Sequence, residues 1–119
     1  MQILGVGTDI VEVERIADVC RRTPRFEKRV FTDSELADCG RGANRFQRLA
    51  ARFAAKEAVA KAFGCSFGWR EVEIHVEPSG KPTARLYGRA SEAAGDAVVF
   101  VSLSHSREYA AAVAVLTRD

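Results

Sequence analysis

The stretch from Asn44 to Gly64 constrains this chain most. It reads as one long helix: alanine recurs throughout, Asn44-x-x-Gln47 has the pattern of a helix start, and Gly64 supplies a stop. At about 100° per residue, Phe46, Ala50, Phe53 and Ala60 share one apolar stripe, which predicts the face turned to the core. Glu57 falls on that stripe, with Lys56 and Lys61 flanking it. A carboxylate set among core residues is costly unless something pairs with it. An i, i+4 ion pair with Lys61 is the plain explanation, but such pairs usually stand in solvent.

The remaining pattern predicts what packs on this helix. Ile3 to Asp9 alternates as a strand, with Leu4, Val6 and Thr8 on one side and Ile3, Gly5, Gly7 and Asp9 on the other. Val13, Ile16, Ala17 and Cys20 follow at helical spacing until Thr23-Pro24. Phe26 to Phe31 reads as a short helix. Thr32-x-x-Glu35 is a capping-box pattern for another that stops at Gly40. Residues 72–76 and 83–87, joined by Pro78-Ser79-Gly80-Lys81-Pro82, predict a hairpin. A small helix is expected over Ala90–Ala94, and strands over Val98–Ser104 and Tyr109–Leu116. Helices come mostly first and strands mostly last. This predicts an α+β fold, an antiparallel sheet packed against one long helix and shorter ones, in a compact single domain spanning 1–119. The small side chains of Ala110 to Ala114 permit close approach by a helix or by another subunit.

Charge and cysteine usage narrow the partners. A net charge of +2 argues against a chain built to coat nucleic acid. The positive charge is local: one group runs from Arg15 to Arg29, and a second holds Arg41, Arg45, Arg48 and Arg52. On the first helix Arg15, Val19 and Arg22 share the stripe opposite the apolar one, either a solvated basic face or a dock for an acidic helix. Three cysteines without Cys-x-x-Cys spacing favour a reducing compartment over a disulfide framework or a zinc site. No signal segment and no apolar run of about 18 residues is found, so a cytoplasmic protein off the membrane is expected.

Asp9 ends the first strand on the face cleared by Gly5 and Gly7, where a ligand has room beside the backbone. Capping of the next helix is the alternative for Asp9. Together Asp9 and Glu57 offer two oxygen ligands to a hard cation, which fits magnesium with phosphates better than zinc. His105 continues the parity of Val99, Val101 and Leu103. It is read either as a satisfied structural histidine or as a polar contact to a phosphate or base edge.

Three blocks resemble the holo-acyl-carrier-protein synthases, the small bacterial phosphopantetheinyl transferases, along the full chain. They are Gly5-Val6-Gly7-Thr8-Asp9 with its continuation to Ile16, the motif Phe53-x-x-Lys56-Glu57-x-x-x-Lys61-Ala62-x-Gly64, and Val101-Ser102-Leu103-Ser104-His105-Ser106 followed by Tyr109-Ala110-Ala111-Ala112. The resemblance implies a phosphopantetheinyl transferase domain over 1–119. Its reaction moves the phosphopantetheine arm of coenzyme A to a serine of apo acyl carrier protein, releasing adenosine bisphosphate, in fatty acid and lipid metabolism. It implies Asp9 and Glu57 as magnesium ligands, Lys61 on the coenzyme's phosphates, and Arg52, Lys56 and His105 as further coenzyme A contacts. Arg15, Val19 and Arg22 would meet the acidic carrier protein, and the family is typically a homotrimer with active sites between subunits. Two rivals stand beside this. One is a non-catalytic trimeric module that holds an anionic nucleotide or acidic protein, which needs no paired carboxylates. The other is an RNA-binding α+β domain, which needs more sheet aromatics than Tyr87 and Phe100.

Overall fold

In a computed structural model of residues 1–119, the first strand, β1 (Gln2–Glu12), pairs antiparallel with the last, β5 (Tyr109–Arg118). Strand β4 (Val98–His105) pairs on the other side of β5, giving the order β1-β5-β4. The hairpin of β2 (Val72–Val76) and β3 (Pro82–Leu86) forms its own two-stranded sheet. The α+β class and the antiparallel pairing stand as expected; the strands divide into two sheets.

The helices α1 (Val13–Arg22), α2 (Phe26–Val30), α3 (Asp33–Cys39), α4 (Arg45–Phe63) and α5 (Gly88–Ala94) fall close to the segments the pattern marks. Local chemistry accounts for the boundaries. The Thr32–Glu35 capping box forms in full, each side chain bonded to the other's backbone N–H. Gly64 takes φ +78°, the left-handed region, and its N–H closes on the carbonyls of Ala60 and Lys61. Asn44 precedes α4 as expected but makes no side-chain cap. Its φ/ψ of −98°/10° is not the extended geometry that brings a cap oxygen over the first turn. A 3₁₀ turn at Trp69–Glu71 links the loop after α4 to β2.

Helix α4 lies across the inner face of the three-stranded sheet and also touches α1, α3 and β2. Small residues make this contact close. Ala54, Ala55, Ala58 and Ala62 are buried on the helix, and Ala110, Ala112 and Ala114 on β5. A β-carbon on Gly7 would overlap the Ala58 carbonyl and lie 2.8 Å from Ala62 N. One on Gly5 would overlap the Ala62 carbonyl. The room these glycines leave is therefore filled by the helix backbone, which corrects the expectation of ligand space there. Ala110, Ala112 and Ala114 of β5 likewise admit the helix.

The expected core stripe of α4 is corrected too. Phe46, Phe53, Glu57 and Ala60 are only half-buried, while Leu49, Ala54, Ala55, Ala58 and Val59 form the true core face. The opposite face of the three-stranded sheet is apolar and bare. Val6, Val115 and Phe100 form one cross-strand row there, and Ile10 is 67% exposed. All three cysteines are free, and burial pushes the Cys20 and Cys39 thiols up to about 11. No helix is long and apolar enough to cross a membrane.

Candidate active site

Close packing of α4 on β1 assembles the site. It sets Lys61 against the end of β1, where its ammonium donates to the Thr8 carbonyl at 3.0 Å and to Asp9 Oδ1 at 3.2 Å. Glu57, one turn earlier on α4, faces the same place. Burial, then the Asp9 charge, raises its carboxyl above the ordinary value, and Lys61 partly offsets this. Asp9 and Glu57 line one cavity together with Arg15 and Val19 of α1. The two carboxylates, 48 residues apart in the chain, thus converge on one rim with one lysine.

Glu57 also borders two other hollows. One is an open depression with Lys61, Gly64, Cys65 and Ser66. The other is a cleft of about 250 Å3 whose walls include Ala60, Phe67, Trp69 and Val72. Phe53 separates this cleft from the cavity at Asp9, stacked on Trp69 at 5.0 Å and beside Phe26 at 6.3 Å. The three hollows meet at Glu57: their lining is apolar at Trp69, anionic at Glu57 and Asp9, and basic at Lys61 and Arg15.

The donor chemistry can be tested against a cation directly. Two adjacent carboxylates repel, and the Asp9 charge adds to burial in raising the Glu57 carboxyl. No third histidine, cysteine or acid joins them. A pair of carboxylate oxygens with the remaining positions left to water and phosphate is the pattern magnesium accepts. The residues present fit that ion.

The other predicted residues fall in different places. Arg15, Val19 and Arg22 line a shallow surface on α1, as the helical spacing implies. The surface is less basic than the sequence pattern implies, because Glu14 and Asp18 engage Arg21, and Asp18 reaches Arg22 at 4.0 Å. His105 ends β4 and is exposed. Two strand spacings separate it from β1, about 10 Å across the sheet, so the fold does not bring it to Asp9 within one chain. Arg52 is buried, about 140° around α4 from Glu57; it reaches the Arg48 carbonyl at 3.4 Å, and its Nε has no partner. Lys56 corrects the sequence reading most. It does not stand at the helix edge beside Glu57 but is buried in an ion pair with Glu35 at 2.8 Å.

Glu35 and the Trp69–Val72 wall are the residues that sequence reasoning missed. The sequence pattern marks Glu35 only as a capping residue. Its second role depends on Lys56, 21 positions away, and no periodicity encodes such a contact.

Comparison with known proteins agrees with this geometry. A family model described as the 4'-phosphopantetheinyl transferase superfamily matches residues 5–114. The chain is 44% identical to a holo-[acyl-carrier-protein] synthase of Clostridium novyi, over 98% of this chain and 89% of that protein. Its fold is similar to a holo-(acyl-carrier-protein) synthase of Bacillus anthracis in complex with CoA (3',5'-ADP), with TM-score 0.85, 30% identity and all of both chains covered. It is also similar to the Helicobacter pylori holo-[acyl-carrier-protein] synthase in complex with coenzyme A, with TM-score 0.83, 27% identity and 94% and 99% covered. With its carboxylate pair on β1 and α4 and a likeness that runs from end to end, the chain belongs to the holo-acyl-carrier-protein synthases of the 4'-phosphopantetheinyl transferase superfamily.

Proposed function

We propose that this chain, as one catalytic domain over 1–119, transfers the 4'-phosphopantetheine group of coenzyme A to a serine of apo acyl carrier protein, releasing adenosine 3',5'-bisphosphate. The observation that carries the reading is the convergence of Asp9, Glu57 and Lys61 on one rim, in a chain whose relatives include coenzyme A-bound synthases. Asp9 and Glu57 would hold a magnesium ion through their carboxylate oxygens. When bound, that ion supplies positive charge against the diphosphate.

The chain's own groups do the rest. Lys61 lends a point charge to the diphosphate and a proton to the departing 5'-phosphate oxygen. The carrier's serine oxygen bonds to the β-phosphorus, and the bond from that phosphorus to the bridging oxygen breaks in line. The serine proton passes to Glu57, whose carboxylate is made more basic by burial and then by the Asp9 charge. Two acids of the segment 25–45 compete poorly for this role: Glu35 is buried against Lys56, and Glu27 is held by Arg45. Mixing the protein with coenzyme A, magnesium and an apo carrier protein tests the whole reading. The carrier should gain the mass of one phosphopantetheine group on a serine; a carrier of unchanged mass would leave only a binding module.

The carrier protein would dock on α1. Arg15 has no acid partner and lines both the α1 surface and the cavity at Asp9, so it joins the dock to the reaction centre. Arg15→Glu should raise KM for the carrier about tenfold and leave coenzyme A affinity unchanged, with the effect shrinking at high salt. A fall in coenzyme A affinity instead would place Arg15 on the nucleotide.

We assign the bare apolar sheet face to contacts between copies of the chain, as a homotrimer. Val6, Ile10 and Phe100 are 60%, 67% and 49% exposed on it, which is unusual for a surface that faces water. His105 on the flanking strand would then serve a neighbour's site. Val6→Asp should convert the trimer to monomer in light scattering and abolish transfer; a wild-type protein that runs as a monomer would refute the assignment. The free thiols support a cytoplasmic setting.

A further inference from the structure

Lys56 has the sequence position of a site cation and the surroundings of a core residue. Its side chain is 2% exposed. Its ammonium donates to Glu35 Oε1 at 2.8 Å, to the Trp69 carbonyl at 2.9 Å and to the Val72 carbonyl. An ammonium has three donors, and all three are taken. Glu35 is just as occupied: it accepts from Thr32 N–H at 2.9 Å and from Ile74 N–H at 2.8 Å. The start of α3, the middle of α4, the 3₁₀ turn and β2 all meet at this one pair. Neither partner has a group left for a phosphate.

The carbonyls that Lys56 holds belong to Trp69 and Val72, two walls of the cleft beside Glu57; the Lys56 side chain borders the same cleft, with its ammonium turned to these carbonyls and to Glu35. Glu71 braces the same turn from its other side, accepting from Gly68 N–H at 2.6 Å and Arg89 N–H at 2.8 Å. Phe53 stacks on Trp69 from α4. Lys56 and Glu57 are sequence neighbours on a rigid helix. The distance from Glu57 to the cleft wall is therefore set through the Lys56 ammonium.

We propose that Glu35 and Lys56 are a positioning pair, a buried strut that fixes the Trp69–Val72 wall against Glu57 and so governs coenzyme A affinity through that wall, with no ammonium donor given to the coenzyme. The proposal rests on the transferase reading for its ligand, but not for its geometry. It replaces the direct coenzyme contact that the family resemblance assigns to Lys56. The two roles make opposite predictions. A lysine that binds phosphate directly gains nothing from Glu35 and is freed by its neutralisation. A strut fails when either end is removed, and removing the second end adds nothing further.

The experiment compares Glu35→Gln, Lys56→Met and the double variant. The double is included because Lys56→Met alone strands a buried carboxylate and can fail to fold. Coenzyme A binding is measured by calorimetry at several salt concentrations, and Trp69, the only tryptophan, is read by its emission without ligand. Each single variant should weaken coenzyme A binding about tenfold, the scale of lost support behind a binding group. The double should bind no worse than the weaker single. The salt dependence should match wild type, because no charge facing the phosphates is lost. KM for the carrier should stay unchanged, which a general loss of stability does not predict. The emission of Trp69 should shift to the red in all three.

Wild-type binding by Glu35→Gln, together with weaker and less salt-dependent binding by Lys56→Met, would overturn the proposal and return Lys56 to the phosphates. Unshifted Trp69 emission in folded Glu35→Gln protein would overturn it whatever the ligand proves to be. Coenzyme A binding enters only the first of these, so a wrong ligand and a wrong strut give different results.

Discussion

Glu57→Gln should lower transfer about 100- to 1,000-fold, the usual cost of losing one charge that acts on the transition state. Asp9→Asn should cost a similar factor. Both carboxylates border the same cavity, and both are close enough for the Asp9 charge to act on Glu57. The gain should appear elsewhere. The Glu57 carboxyl is raised in the folded protein, chiefly by burial and next by Asp9. A group of this kind favours the fold below its unfolded pKa, and its contribution is lost as pH rises through the folded value. At neutral pH, without metal, Glu57→Gln should therefore melt higher than wild type, and the difference should vanish in acid. Adding magnesium should raise the melting temperature of wild type and not of the variant. Near-normal turnover by either variant at limiting magnesium, or an equal magnesium shift in Glu57→Gln, would remove the metal assignment.

Gly7→Ala should destabilise the fold by about 3 kcal/mol or more, the upper end for overpacking a core. The added methyl would overlap the Ala58 carbonyl, 2.8 Å from Ala62 N and 2.9 Å from Lys61 Cβ. These are main-chain atoms and the stem of the site lysine, so no flexible side chain can yield. The helix must move away from β1, carrying Glu57 and Lys61 from Asp9. Urea unfolding should show the midpoint fall, and any folded fraction should lose transfer beyond what its folded population explains. An unchanged midpoint would mean that α4 does not approach β1 this closely. Few single methyl groups in this chain would couple stability to chemistry so directly.

The same contact explains why some of the protein was legible beforehand and some was not. The capping box at Thr32 and Glu35, the stop at Gly64, the α1 stripe and the 72–86 hairpin are local, each decided by residues a few positions apart. They are legible in the sequence for that reason. The face of α4 is not, because alanine lines most of its circumference and periodicity has little contrast to work with. Burial there reaches Arg52 and Lys56, charged residues that pattern reasoning places in solvent. The glycines of β1 signal clearance, but a strand pattern cannot tell whether a ligand or a helix occupies it, and the helix does.

From residue order alone came the elements, their caps, the class of fold and the motif that marks the family, since hydrogen bonds within a turn and side chains one turn apart decide these. Which acid stands beside which cation came only from the folded chain. Glu57 meets Asp9 and Lys56 meets Glu35 because small residues on both surfaces let one helix settle deep against a sheet. That depth is a sum over contacts distant in sequence, and no window along the chain contains it.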